Sequence, residues 1–324
     1  MIVGIIGKLG YHEDNITKPI LKELRASGHV VERVVPRNVD WFTSEGARSM
    51  PSLASGLAEV DLSTFDALLF LDAWSFVLPI VCWNLAFKSK TTPLMAGILL
   101  GSTSMPGDVA CGLPDAKAYE DFLFGGVYDL IFTHGEHEHQ QKGVVSTGHP
   151  MPQFLRKRPE RAVQPKRVVY AHRWSNDKGK DDFLALVRHS LDHGLGIMFV
   201  VTDSTAQPYV KDLGVVVAGW QSQAGLSEIG ARGGYAWAGA KSELAAYALH
   251  DLISYGLAPL VSTHQAYAHV PVRFSWGSTE GAARIVDTGD NLSSTEWRAM
   301  GRSFLGAEGR IVDALEKAHR GRQR

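Results

Sequence analysis

The sequence contains few cysteines and carries almost no net charge. Cys82 and Cys111 are the only two cysteines in 324 residues, too few for a disulfide framework and without the spacing of a zinc site. Lys and Arg number 33 against 34 for Asp and Glu, so no global basic field is available to hold a polyanion. We therefore expect a cytoplasmic protein, and any nucleic-acid binding would be local.

Long apolar runs are also absent. No stretch reaches the length of about 18 apolar residues that a membrane span requires, since Asp72 and Pro79 interrupt the longest one. Residues 1–7 are apolar, but they have neither a basic lead-in nor a small-residue cleavage site. They therefore predict a buried first strand, and we expect no membrane span.

Short apolar runs alternate with helical patterns along the chain, which predicts parallel sheets with crossover helices. Residues 149–161 are rich in proline and charge and show no periodicity, so they place a domain boundary near residue 155. We predict an α/β fold with two doubly wound, Rossmann-like domains facing each other across a cleft. The first domain spans residues 1–155. The second spans residues 156–324 and ends in a helix that crosses back.

Each predicted domain contains six strands. In the first domain they cover residues 2–6, 30–35, 67–71, 94–100, 130–133 and 144–146. In the second they cover residues 167–171, 197–201, 215–218, 235–238, 257–262 and 283–286. Ligands of such sheets bind outside the carboxyl ends of the strands, so the loops after the strands are the first places to look for a site.

Two cations follow the first strand of the second domain. Arg173 and Lys178 lie in a turn-rich loop between that strand and a helix predicted from about Lys180. A planar guanidinium and a compact ammonium at this edge can together hold a diphosphate. The alternative is that both are solvated loop cations.

Two carboxylates lie on a second helix. Ser242 is a good N-cap and Gly256 a good stop, and such a helix start presents free N–H groups to an anion. Glu243 lies in the first turn, and Asp251 follows eight residues later, about 12 Å along the axis. This separation suits one ligand with hydroxyls at both ends and a diphosphate between them. The alternatives are a carboxylate that complements the helix dipole and an ordinary surface charge.

Taken in order, these segments resemble the nucleotide-sugar half of the two-domain (GT-B) retaining glycosyltransferases, especially family 4. That family has a strand followed by Gly-Arg and then Glu-Lys-Gly, matched here by His172-Arg173 and Asp177-Lys178-Gly179. It also has two acidic residues separated by seven others, matched by Glu243 and Asp251, before a segment similar to residues 255–261. The resemblance covers about residues 167–262.

The resemblance implies a hexosyl- or pentosyltransferase that uses a nucleotide-sugar, a UDP-sugar, and a hydroxyl acceptor with retention of configuration. It needs no separate cofactor and no metal. Arg173 and Lys178 would neutralise the diphosphate leaving group, and the backbone N–H groups of Leu244 and Ala245 would meet its phosphates. These four residues form the implied phosphate site.

The same resemblance assigns the rest of the donor. Glu243 would hold sugar hydroxyls, Asp251 would bind the ribose, and the residues around Trp220 would frame the base. Three departures from the family pattern are Asp251 for a second Glu, His172 for a Gly, and Leu244-Ala245 for Gly-Phe. They motivate the alternative of a non-catalytic protein that binds a nucleotide or nucleotide-sugar.

The first domain is less familiar. Gly10 lies in a glycine-containing turn after the first strand, where the family lets the backbone approach the donor. His134 begins a stretch of three histidines and two glutamates over residues 134–139. Its spacing is not that of a helical zinc motif, which leaves a solvated helix start, a metal site or an acceptor-side role for His134 as alternatives.

The sequence gives one indication of the acceptor. Residues 96–104 and 122–129 resemble virus-encoded enzymes that glycosylate modified DNA bases. This second resemblance implies a hydroxymethylated DNA base as the acceptor, whereas a small molecule or a lipid-linked sugar is the alternative. The sequence does not indicate an oligomeric state.

Overall fold

A computed structural model describes residues 1–6, 16–34, 61–86, 92–99, 121, 123–133, 143–148, 150, 163–239, 247–263, 267, 269–302 and 304–323. The chain divides into two compact units. Unit 1 consists of Met1–Pro150 together with Gly306–Arg324, and unit 2 consists of Met151–Leu305.

Unit 1 contains a parallel sheet of six strands. Its order is β2-β1-β3-β4-β5-β6, with β1 at Ile2–Ile6, β2 at Val30–Val34, β3 at Ala67–Phe70, β4 at Leu94–Ile98, β5 at Leu130–Thr133 and β6 at Val144–Ser146. The described helices before unit 2 are α1 at Lys18–Ala26 and α2 at Ala73–Ala86. The central strands β3 and β4 are buried along their whole length, as expected for a sheet covered on both faces.

Unit 2 contains a second parallel sheet of six strands. Its order is β12-β11-β10-β7-β8-β9, with β7 at Arg167–Tyr170, β8 at Met198–Val201, β9 at Val216–Val217, β10 at Tyr235–Ala238, β11 at Ala258–Ser262 and β12 at Ser275–Trp276. The described α-helices are α3 at Lys180–Asp192, α4 at Gln207–Val210, α5 at Gln223–Ala231, α6 at Tyr247–Ser254, α7 at Thr279–Thr288 and α8 at Ser294–Arg302. The order matches the common dinucleotide-binding sheet, and it reverses direction between β7 and β10.

The predicted α/β class with two doubly wound sheets is confirmed, but one predicted strand is wrong. Residues 283–286 belong to helix α7. Its N-cap Ser278 accepts a hydrogen bond from the Gly281 N–H, and Gly289 ends it at a φ of 70°. The sixth strand is instead the two-residue β12, too short to give a pattern in the sequence.

The end of the chain forms two helices rather than one. A capping box begins α8, because Ser293 N–H donates to Glu296 and Glu296 N–H donates to Ser293 Oγ. Helix α9 follows at Ala307–Arg322 after Gly306, whose φ is 70°. It packs on α1, with His29 Nε2 3.0 Å from Glu316 Oε1, and Arg310 Nε donates to the Thr147 carbonyl at 2.7 Å. Residues 307–322 therefore complete unit 1.

Candidate functional site

The loop after β7 presents two cations at the carboxyl edge of the unit 2 sheet. The Asp177 carboxylate lies between them, with Oδ2 3.2 Å from Arg173 Nη2 and 3.9 Å from Lys178 Nζ. The side chain of Asp177 is 9% exposed, whereas that of Arg173 is 58% exposed. Asp177 therefore gathers both cations while leaving the guanidinium accessible to a ligand.

Hydrogen bonds to neighbouring strands fix the loop. The buried Tyr170 hydroxyl, at the end of β7, donates to the Arg173 carbonyl at 2.8 Å. Trp174 N–H donates to Asp203 Oδ2 at 2.8 Å, and Asp203 also accepts from Thr205 in the loop after β8. Burial raises the pKa of Asp203, but these hydrogen bonds outweigh it and hold the pKa below its usual value. Asp203 is thus an ionised link between the loops after β7 and β8.

The loop approaches β10 by backbone contact at two glycines. Gly179 has a φ of 75°, and a Cβ placed there would lie within 2.3 Å of the Gly239 carbonyl oxygen. Gly179 lies at the end of the loop that follows β7, and Gly239 directly follows β10. The contact therefore joins the segments that leave the two strands between which the sheet order reverses. The candidate site is therefore at the topological switch point, where ligands of doubly wound sheets bind.

His172 adds no charge to this site at neutral pH. Burial lowers its pKa to about 3, and the nearby Lys178 contributes in the same direction, although a backbone hydrogen bond to Trp237 opposes them. The imidazole is therefore neutral and joins the loop to β10. The positive charge of the loop comes from Arg173 and Lys178.

A second loop exposes an aromatic ring. Trp220 follows β9 and is 84% exposed, which is unusual for a tryptophan. Gln221 Nε2 donates to the carbonyls of Ala218 and Gly219, at 2.7 and 3.1 Å, and so closes the turn below the ring. An exposed indole offers a flat face on which a base can stack.

Asp251 lies on α6 and is buried, with 7% exposure. Gln223, the first residue of α5, donates from Nε2 to Asp251 Oδ2 at 3.3 Å. Trp220 lies two residues before the Ser222 N-cap of α5, so this contact connects the helix that follows the aromatic turn to the carboxylate. The structure thus joins two predicted donor residues through a glutamine that the sequence did not single out.

Several predicted site residues lie outside the described residues, namely Gly10, His134, Glu243, Leu244 and Ala245. Their assignments stay predictions. Among the predicted residues that are described, the structure brings Arg173 and Lys178 together through Asp177, and it places Asp251 against Gln223 at the start of α5, the helix that follows the Trp220 turn. Asp203 was also missed, although an Asp directly ahead of Ser-Thr is a recognisable capping pattern.

Two kinds of feature are absent from the described residues. No group of three or more His, Cys, Asp or Glu side chains in that part of the chain is placed to hold a metal ion. No described helix is long and apolar enough to cross a membrane.

Two histidines lie side by side behind the candidate ribose carboxylate. His250, next to Asp251 on α6, is fully buried, and its Nε2 lies 2.8 Å from Nε2 of His269. The two rings stack at 5.0 Å, and Phe304 packs edge-on against both. Burial lowers the pKa of His269 to about 4 from 6.5. A neutral His269 is therefore part of the folded state.

We expect unit 2 to lose stability in mild acid because of this histidine. The unfolded chain binds the proton with a pKa near 6.5 and the folded chain only near 4, so stability falls as the pH drops between these values. The loss from pH 7 to pH 5 is about 2 kcal/mol for this group. Urea unfolding at the two pH values measures it, and in His269→Gln the pH-dependent loss shrinks by that amount. An unchanged pH dependence in the variant would contradict the assignment.

No protein-family model matches the sequence, and no curated protein matches it. Solved structures do match. The UDP-forming α,α-trehalose-phosphate synthase from Burkholderia vietnamiensis is 10% identical, with a TM-score of 0.63 over 99% of both chains. The catalytic domain of starch synthase IV from Arabidopsis thaliana, bound to ADP and acarbose, is 12% identical, with a TM-score of 0.64 over 98% of both chains.

A third match is a trehalose-6-phosphate synthase studied for glycosyl transfer with retention. It is 9% identical, with a TM-score of 0.65 over 98% of this chain and 99% of that one. At these identities the likeness concerns the fold alone. The chain therefore has the GT-B fold, two Rossmann-like units, that these glycosyltransferases share.

Proposed function

We propose that the chain is a retaining glycosyltransferase that moves a sugar from a nucleotide-sugar, a UDP-sugar, to a hydroxyl acceptor. The observation that carries this proposal is the pair of cations held by Asp177 at the switch point of the unit 2 sheet. A diphosphate is the ligand whose charge and size best match a guanidinium and an ammonium gathered on one loop.

The chemistry needs a stabilised leaving group. The bond between the anomeric carbon and the diphosphate oxygen breaks, the acceptor oxygen bonds to that carbon on the same face, and the proton of the acceptor hydroxyl passes to the departing diphosphate. Negative charge grows on the departing diphosphate, so fixed cations lower the barrier most where that charge appears. Arg173 and Lys178 take this role, and Leu244, Ala245 and Glu243 are proposed to hold the phosphates and the sugar.

The nucleoside is proposed to lie along α5. Trp220 offers a stacking face for the base, and Asp251 offers acceptors for the ribose hydroxyls. Two matched structures support a nucleoside diphosphate as the ligand, since one enzyme is UDP-forming and another is bound to ADP. Uracil is our choice of base, and adenine is the alternative to test beside it.

The acceptor side stays with unit 1. His134 is the residue that the sequence offers for the acceptor, whereas Gly10 is proposed to let the backbone of unit 1 approach the donor. A hydroxymethylated DNA base is the acceptor that we propose from the second resemblance. A gel-shift titration with such DNA at low and high salt tests it, because phosphate contacts weaken steeply as salt rises. Absence of a shift at low salt would leave a small-molecule or lipid-linked acceptor.

A thermal-shift panel of UDP-, GDP- and ADP-sugars tests the donor proposal. We expect one family of donors to raise the melting temperature by several degrees, since a ligand at 100 times its Kd stabilises the folded state by about 2.7 kcal/mol. The matching free diphosphate would also shift it, whereas the nucleoside alone would shift it less. If none of these ligands changes the melting temperature, the donor site is wrong.

Slow donor hydrolysis separates the enzyme from a binding protein that has lost transfer. Labelled donor of the kind that binds is incubated with the protein, and free sugar is measured over hours. Release of sugar above the rate without protein supports the enzyme. Tight donor binding with no release supports the non-catalytic alternative.

A further inference from the structure

The Asp251 carboxylate is held by a second side chain rather than left to find its own orientation. It lies on α6 with only 7% exposure, and Gln223 Nε2 donates to its Oδ2 at 3.3 Å. Gln223 is on a different helix, 28 residues earlier in the chain. A buried carboxylate needs hydrogen-bond donors that face its oxygens. The contact with Gln223 therefore helps to determine where the Asp251 carboxylate points.

The amide of Gln223 is itself oriented by Tyr255. The Tyr255 hydroxyl donates to Gln223 Oε1 at 2.5 Å. With its oxygen on the tyrosine, the amide must direct its N–H₂ at Asp251, and the flipped amide would place an oxygen against the carboxylate. The three side chains therefore form an ordered series in which each donor faces one acceptor.

Helix packing keeps this series at fixed length. Gly230, on α5, lies so close to Tyr255 that a Cβ there would be 2.3 Å from the tyrosine Cβ. The missing side chain lets α5 approach the end of α6. The packing of these two helices therefore fixes the distances between Gln223, Asp251 and Tyr255. Trp220 lies three residues before the start of α5, so the aromatic turn leads into the same helix.

We propose that Gln223 and Tyr255 are positioning residues that hold Asp251 for the ribose hydroxyls of the donor, a role that rests on the proposed donor site. They act through Asp251 and need no contact with the ligand. They increase the preference of the site for ribose over a sugar that lacks those hydroxyls. The turn that carries Trp220 and the Asp251 carboxylate then bind the base and the ribose as one unit.

Calorimetric titration with UDP and ADP, each compared with its 2′,3′-dideoxy analogue, tests the proposal. The wild-type protein should bind the ribonucleotide at least about tenfold more tightly, as expected for hydrogen bonds to a charged group. Gln223→Ala should remove most of this preference, and Tyr255→Phe, which deletes only a hydroxyl, should remove part of it. Asp251→Ala should abolish it, and adding Gln223→Ala to that variant should change nothing more.

Gln221→Ala is the matched control. Gln221 lies two residues away, and its amide binds the carbonyls of its own turn, so this variant should keep the ribose preference whatever happens to overall affinity. A merely structural role for Gln223 would lower the affinity for both sugars alike. Unchanged preference in Gln223→Ala and Tyr255→Phe, with the wild type still selective, overturns the positioning role alone. Failure of the wild type to bind either diphosphate overturns the donor site and this role together.

Discussion

Replacing Arg173 or Lys178 with alanine is expected to lower turnover by at least about 100-fold, the effect of removing one fixed donor from a developing anion. Asp177 holds both cations on the loop after β7, at the switch point of the sheet. Each therefore faces the same proposed diphosphate, and loss of either leaves leaving-group charge unmatched. Steady-state transfer or donor hydrolysis measures the effect.

The folded state should survive both substitutions. Arg173 is mostly exposed, and Asp177 keeps one of its two cations in either variant, so neither substitution leaves this carboxylate without a nearby positive charge. Lys211→Ala is the control, since Lys211 is an exposed cation that follows α4 in the same unit and belongs to no described site contact. Near-normal turnover in both Arg173→Ala and Lys178→Ala, with circular dichroism unchanged, would remove the donor-site assignment.

Gly179→Ala is expected to destabilise unit 2 and to abolish donor binding. Alanine in the left-handed region costs about 1–2 kcal/mol by itself. Here the new methyl would also lie 2.3 Å from the Gly239 carbonyl oxygen, so either the cation loop or the end of β10 must move. We expect a total loss of about 3 kcal/mol in the free energy of unfolding. Urea unfolding and a UDP titration measure the two effects.

Gly194→Ala provides the matched comparison. Gly194 also has a positive φ, 63°, but no atom lies within 4 Å of its missing Cβ. It should cost only the backbone term of about 1–2 kcal/mol and leave donor binding intact. Equal losses of unfolding free energy in the two variants would mean that the close approach of the cation loop to β10 does not affect stability.

Most strands could be predicted because a parallel sheet buries both faces of its strands, and continuous apolar runs such as Ala67–Phe70 mark them clearly. Residues 283–286 gave the same signal for another reason. Ala282, Ala283 and Val286 are buried on one side of α7, and a short apolar run does not distinguish a strand from a helix. Strand β12, with two residues, leaves no period to detect.

The candidate site was predictable where it depends on position along the chain. Arg173 and Lys178 follow a recognisable strand, so their place at the sheet edge could be read in advance. The partners of these residues could not. Gln223 meets Asp251, and Asp203 meets Trp174, only because helices and loops that are 28 and 29 residues apart pack together, and no local pattern specifies such pairs.

Helix α9 has a consequence for how the chain is made. Unit 2 is continuous in sequence, so all of its residues leave the ribosome in one uninterrupted stretch and can fold as a unit. Unit 1 begins synthesis first, but α1 must wait for α9, whose Glu316 meets His29 across 287 positions of sequence. The unit that is started first is therefore finished last, and the surface of α1 that α9 contacts stays uncovered until unit 2 has been translated.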